Sequence, residues 1–333
     1  MTAAYSCFYD EFGQQGWIPP EDRTAEQREL SERFDAATPS YAESGEPLAT
    51  ADLPKKALLY SLEKKANGEL LPRIWQVTGS CVGCAGARAY AQAICGDVVH
   101  RGDNERVAVP FPFATYGVGR KIGGMRKTGS GSYGAAQAEA VNTWGMIPVD
   151  HPSVDPPSKV NGWLRWTQAV EYRWSHPNAW TVDYDDLAND AYEYRVLSVC
   201  RIRNTDECAS LVAQGYGLTL ASSFGASFRE RGGYSIGEWR KTWRHQMSCS
   251  GYDASDSAKN AGRTSRLWAI DNQWGPNAHP KCRSLSKLGV TGSFWITDET
   301  FTKIIERGAV YGHSDTLGFP GREIDWGDMG MGR

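Results

Sequence analysis

Two halves of opposite periodicity make up this chain, and that division limits the folds open to it. Before about residue 195 the patterned stretches have helical spacing, while beyond it they read mainly as strands separated by turns. Helices segregated from a run of strands predict an α+β protein with a helical lobe and a β-rich lobe, not an alternating α/β sheet. The expected boundaries are a polar arm over 1–55, a helical region over 56–194, a strand-dominated region over 195–310 and a tail over 311–333.

In the arm, TAEQRELSERFDAA places Leu30, Phe34 and Ala37 near one helical face. KKALLYSLEKK is a short amphipathic segment, and Pro72 and Gly79 mark irregular chain before the stretch QVTGSCVGCAGARAYAQAI. After Cys84 that stretch is rich in alanine and predicts a buried helix, because alanine combines high helix propensity with close packing. A Gly/Ser turn, KTGSGSYG, leads into AAQAEAVNTWG, a helix stopped by Gly145. Residues 148–180 are rich in Pro and Trp and have no clear period. In the second half, VLSVCRI, GLTLASSF, RHQMSCSGY, RLWAIDNQWG and TGSFWIT read as strands. A helix capped at Thr205 and another capped at Asp298 interrupt them. The tail from Gly318 is Gly-rich and polar and carries no predicted element.

Composition narrows the function. With 333 residues, 41% hydrophobic and 23% charged, the chain has material for a sizeable core. A formal net charge of −3 and a pI near 6.1, with no long basic run, give no electrostatic footprint for nucleic acid. No apolar stretch approaches the length of a membrane span, and no basic leader precedes an apolar one. The eight cysteines (Cys7, Cys81, Cys84, Cys95, Cys200, Cys208, Cys249 and Cys282) are therefore expected to be free thiols in a reducing, cytoplasmic setting.

The Cys81-x-x-Cys84 pair has four readings. A structural zinc needs about four ligands, and no second knuckle or spaced histidine pair is present, so no metal or other cofactor is expected. A thioredoxin-type pair would need a strand before it, and PRIWQVTGS is a poor strand. A disulfide half-site does not fit the expected compartment. A thiolate nucleophile at a helix N-terminus remains, because unpaired backbone N–H groups there lower a thiol's pKa. Such a nucleophile needs a base, and the base needs an orienting partner.

GSCVGC at 79–84, HQMSCSGY at 245–252 and NQWG at 272–275 occur in that order, and together they resemble the active-site segments of papain-like cysteine proteases. The resemblance implies a two-lobed fold, a helical lobe and an antiparallel β-barrel-like lobe with a cleft between them. It implies Cys84 as nucleophile, His245 as base (with Gly251 and Tyr252 matching the residues that follow it) and Asn272 as the residue orienting the imidazole. Trp274 would shield that pair and Gln76 would donate to the oxyanion. GSYGAAQAEAVNTWGMIP resembles the family's Gly-Gly-Tyr segment, which implies substrate-binding roles for Gly131 and Tyr133. The family's disulfide partner for Cys81 is absent, so Cys81 is implied to be a free thiol.

The implied activity is hydrolysis of peptide or amide bonds in a peptide or protein. Two alternatives stand beside it: an amidase acting on cell-wall peptides, and a structural or assembly protein, such as a virion component, whose arm and tail bind a neighbour. Trp163, Trp166, Trp174 and Trp180 would serve the amidase as a stacking platform, or else pack in the core.

Overall fold

The computed structural model describes residues 16–102, 107–125 and 129–331. Cys7 lies outside them, and the seven other cysteines are free. Among the described residues no helix is long and apolar enough to cross a membrane.

The strands are β1 (Lys56–Leu58), β2 (Arg73–Trp75), β3 (Pro110–Phe111), β4 (Ile147–Pro148), β5 (Ser158–Val160), β6 (Trp163–Arg165), β7 (Ser198–Arg201), β8 (Gly217–Arg231), β9 (Tyr234–Asp253), β10 (Leu267–Asp271), β11 (Ser293–Thr297) and β12 (Ala309–Ser314). The main sheet has seven strands in the order β10-β11-β9-β8-β12-β7, with β1 added on β9. Its centre is the long hairpin of β8 and β9. Gly232 (φ 59°) and Gly233 (φ 85°) form the two-residue turn, and positive φ at both central positions is what such a turn needs to match strand twist. The two halves of β9 have different partners. Ile236 near its start meets Trp295 of β11, while Ser248–Asp253 near its end pairs with β10. The sheet therefore curls back on itself through β10 and β11, in keeping with the antiparallel β-barrel-like lobe that the resemblance implied.

The helices Leu59–Asn67, Cys81–Arg101, Pro112–Ile122 and Gly134–Thr143 form most of the other lobe. The 21-residue helix Cys81–Arg101 is buried along nearly its whole length. Its run of Ala and Gly leaves room for neighbours on every side, and it packs on β8, β9 and β12 as well as on the other helices. It begins at Cys81, three residues earlier than the alanine pattern indicated, and ends at Gly102 (φ 69°). Two other caps shift by one residue: Asn204, not Thr205, accepts the N–H of Glu207, and Thr297, not Asp298, accepts that of Thr300.

The expected boundaries are less sharp in three dimensions. β1, just past the arm, belongs to the main sheet, and β12 lies inside that sheet between β8 and β7. Both ends of the described chain dock on the body. In the arm, helix Ala25–Ala37 starts with a capping box of Thr24 and Gln27 and packs on helix Gly134–Thr143. Tyr41 is buried and its hydroxyl lies 3.2 Å from Ser210 Oγ. The tail also has structure: Phe319 stands edge-on to Tyr41 and Tyr216, Arg322 pairs with Asp97 at 2.9 Å, and Trp326 Nε1 donates to the carbonyl of Ala213.

Candidate active site

Because the long helix starts at Cys81, the two cysteines of the C-x-x-C occupy different environments. Cys81 is the first helical residue and is buried. The backbone N–H groups of Gln246, Gly16, Val82 and Cys81 itself favour its thiolate, yet burial outweighs them and pushes the thiol up to about 12. Cys84 lies one turn further in, packed in a cluster with Ile74, Phe111, Phe113 and Trp166. Burial raises its thiol well above the ordinary value, and the negative charge of Glu171 raises it further. Its sulfur is 3.8 Å from Ser80 Oγ. Among the described residues no hydrogen bond joins Cys84 to His245.

His245 and Asn272 are brought together. The imidazole, fully buried on β9, has its Nε2 2.9 Å from Asn272 Oδ1, and the Trp274 ring lies against it with centroids 4.4 Å apart. Its Nδ1 is buried and has no hydrogen-bond partner among the described residues. Burial lowers its pKa to about 4, against the opposing hydrogen bond to Asn272. The backbone N–H of the next residue on the strand, Gln246, is among the groups that favour the Cys81 thiolate, which places the base candidate one residue along β9 from that group.

Asn272 is fixed by what precedes it. Asp271 closes β10 and accepts from Arg73 Nη2 at 2.7 Å, Arg88 Nε at 2.8 Å, Ser250 Oγ at 2.7 Å and Ser293 Oγ at 2.5 Å, as well as from Tyr60. Arg88 continues the network to Glu63 at 2.5 Å. Burial alone would raise the Asp271 carboxyl, but Arg73 and Arg88 hold it well below the usual carboxylate range. Groups from β2, helix Leu59–Asn67 and helix Cys81–Arg101 thus fasten the end of β10, one residue from Asn272.

Gln76 is buried and hydrogen-bonded within its own loop. Its Nε2 donates to the carbonyl of Thr78 at 2.5 Å, and its backbone N–H donates to that of Gln273. Glu171, on helix Gln168–Trp174, holds this loop from the side. It accepts from the N–H groups of Val77 (2.9 Å) and Thr78 (3.0 Å) and from the hydroxyls of Thr78 (2.7 Å) and Ser80 (3.2 Å). Burial nevertheless pushes its carboxyl up to about 7. The sequence reading passed over Glu171, which sits in the unpatterned Pro/Trp segment with its loop partners more than ninety residues away. It also passed over His279, whose Nε2 is 2.7 Å from Asn272 Nδ2.

One segment of the chain runs through this site. Trp17 donates its N–H to the carbonyl of Arg244, Ile18 donates to that of Ser132, and Ser132 donates to that of Gly16, forming a short parallel pairing. Gly16 passes so close to the helix head that a Cβ there would lie 2.0 Å from the Gly79 oxygen and 3.0 Å from the Cys81 sulfur. Of the two neighbours of Ser132, Gly131 (φ 103°) is held by Tyr116 and Arg120, and Tyr133 is buried under the guanidinium of Arg23. The residue that grips the extended segment is Ser132, between the two that the sequence marked. The tryptophans form no open platform: Trp163, Trp166 and Trp174 are buried, and Trp180 stacks on Tyr184.

No family model matches the chain, and no curated protein does. Among solved structures, xylellain, a cysteine protease from Xylella fastidiosa, superposes with a TM-score of 0.56 at 20% identity, covering 90% of this chain and 95% of that one. The fold is papain-like. Procathepsin L 3 from the Tenebrio molitor larval midgut (TM-score 0.45, 9% identity, 94% of this chain and 87% of that one) and the proform of the ragweed pollen cysteine protease Amb a 11 (0.46, 11%, 96% and 94%) match at lower scores. Within this papain-like fold Cys81 heads the long helix, His245 lies on β9, and Asn272, on the turn after β10, holds the imidazole. That set is chemically suited to nucleophilic attack on a carbonyl.

Proposed function

We propose that this protein is a cysteine peptidase that cleaves extended peptides, with Cys81 as nucleophile, His245 as base and Asn272 as the orienter of the imidazole. One arrangement carries the reading. Cys81 is the first residue of the long helix, where backbone N–H groups, including that of Gln246 next to His245 on β9, favour its thiolate, and His245 keeps an unpartnered Nδ1 while Asn272 holds its other nitrogen. What favours Cys81 over Cys84 is charge. The N–H groups stabilise a thiolate at Cys81, whereas Cys84 has a carboxylate beside it.

In this mechanism the Cys81 proton passes to His245 Nδ1, and the thiolate attacks the peptide carbonyl. The oxyanion forms beside the helix N-terminus; of the first-turn N–H groups, those of Gly83 and Cys84 are taken by the Ser80 carbonyl, which leaves those of Cys81 and Val82 for it. Imidazolium then protonates the leaving amine, and water hydrolyses the thioester with His245 again taking a proton. Ser132 and the carbonyl of Arg244 supply main-chain hydrogen bonds of the kind that an extended substrate needs, as their pairing with residues 16–18 illustrates. In this form those residues cover the sulfur, so cleavage requires that segment to withdraw or be cut. The docked arm and tail and the buried tryptophans lend no support to the assembly and cell-wall alternatives.

The test is release of peptides from denatured casein by the protein and by Gly16→Ala, whose added methyl conflicts with the covering segment. Cys81→Ala in either background is expected to abolish it, and Cys84→Ala to retain most of it. Activity that survives Cys81→Ala and vanishes with Cys84→Ala would overturn the assignment.

A further inference from the structure

We propose that His279 is a positioning residue that sets which end of the Asn272 amide faces His245, and thereby which nitrogen of His245 is free to take a proton. The inference rests on the pairing of His245 with Asn272 in the reading above. Asn272 lies between two imidazoles, with its Oδ1 2.9 Å from His245 Nε2 and its Nδ2 2.7 Å from His279 Nε2. An amide has one accepting end and one donating end. If His279 is neutral and presents a lone pair at Nε2, Asn272 must turn its NH2 that way and its oxygen toward His245. His245 must then carry its proton on Nε2, which leaves a lone pair on Nδ1, the buried atom with no partner among the described residues. With the amide reversed, His245 would accept at Nε2, carry its proton on Nδ1 and be unable to take one from a thiol.

The surroundings keep His279 neutral. Its ring is half-buried among Phe228 of β8 (5.0 Å between centroids), Trp243 of β9 (5.8 Å, nearly parallel), Phe294 of β11 (4.8 Å) and Trp274 (6.1 Å). None of these rings offers a negative charge. Among the described residues the one other titratable group that bears on it is His245, and burial and that neighbour both hold the His279 pKa well below the usual histidine value. Protonating His279 would turn its Nε2 from acceptor to donor and favour the reversed amide.

The experiment is long-range 15N NMR of the histidine rings, combined with the rate of Cys81 alkylation by iodoacetamide. Wild type is expected to show His279 as the Nδ1–H tautomer and His245 as the Nε2–H tautomer. His279→Leu, which cannot accept, should mix the His245 tautomers and slow alkylation by about tenfold, the effect of losing roughly one hydrogen bond. His279→Gln, whose Oε1 can accept, should stay within about threefold of wild type on the same scale. A wild-type His279 protonated on Nε2, or a His245 that stays purely Nε2–H in His279→Leu, overturns the proposal. The wild-type spectrum decides even if His279→Leu does not fold. Because the tautomers are read without substrate, failure of the peptidase reading leaves this result distinct.

Discussion

Cys81 and Cys84 lie one turn apart on the same helix, and both are fully buried, yet their sulfurs see opposite fields. Cys81 meets N–H groups from its own helix head, from β9 and from the arm, all of which favour a thiolate. Cys84 meets the carboxylate of Glu171, which opposes one. The difference teaches that the spacing of a C-x-x-C says little about reactivity. Which dipoles and charges point at each sulfur decides it, and that depends on where the helix begins.

The comparison can be broken or sharpened by three substitutions of decreasing effect. His245→Ala removes the proposed base, and should lower the proposed peptide hydrolysis by roughly 10²–10⁴-fold. Reactivity at Cys84 should not change, because no hydrogen bond joins it to His245 among the described residues; equal losses at both thiols would erase the distinction. Gly16→Ala should speed iodoacetamide alkylation of Cys81 by about tenfold, by shifting the covering segment off the sulfur by roughly 1.4 kcal/mol. Cys84, buried among aromatic rings, should gain nothing. An unchanged Cys81 rate would mean that residues 16–18 do not control access.

Glu171→Gln tests the field on the Cys84 side through its pH dependence. In the folded protein the carboxyl titrates at about 7, above its ordinary value of 4.5, so folding favours the protonated form. That contribution to stability is fully present below about pH 4.5 and is lost as pH rises through about 7. Urea unfolding of wild type should therefore lose on the order of 2–3 kcal/mol relative to Glu171→Gln between pH 4.5 and pH 8. A parallel pH dependence in the two proteins would contradict a raised Glu171.

Much of the architecture is legible in the sequence, because a change of hydrophobic period marks the two halves, but β8 and β9 run well beyond GLTLASSF and RHQMSCSGY to meet at Gly232 and Gly233. His245 and Asn272 are legible through local motifs that bring a strand histidine and a turn asparagine together at 2.9 Å. The proposed nucleophile is harder to read, since GSCVGC offers two cysteines and the alanine run begins after the second. What separates them is Ser80, whose non-helical ψ of 19° starts the helix at Cys81, and no composition rule marks that boundary. Glu171, Ser132 and His279 act through hydrogen bonds to loops or turns that only the folded chain brings near, so none has a periodic signature. The tail misleads for a related reason: among its glycines, Phe319, Arg322 and Trp326 are anchors whose partners lie far away in sequence.

The most direct test of the account is to treat the protein and Gly16→Ala with substoichiometric iodoacetamide and map the modified residue by fragmentation of the peptide that contains both cysteines. The account predicts carbamidomethyl on Cys81, faster in Gly16→Ala, with Cys84 unmodified until the protein unfolds. Modification of Cys84 first, in the folded protein, would contradict it.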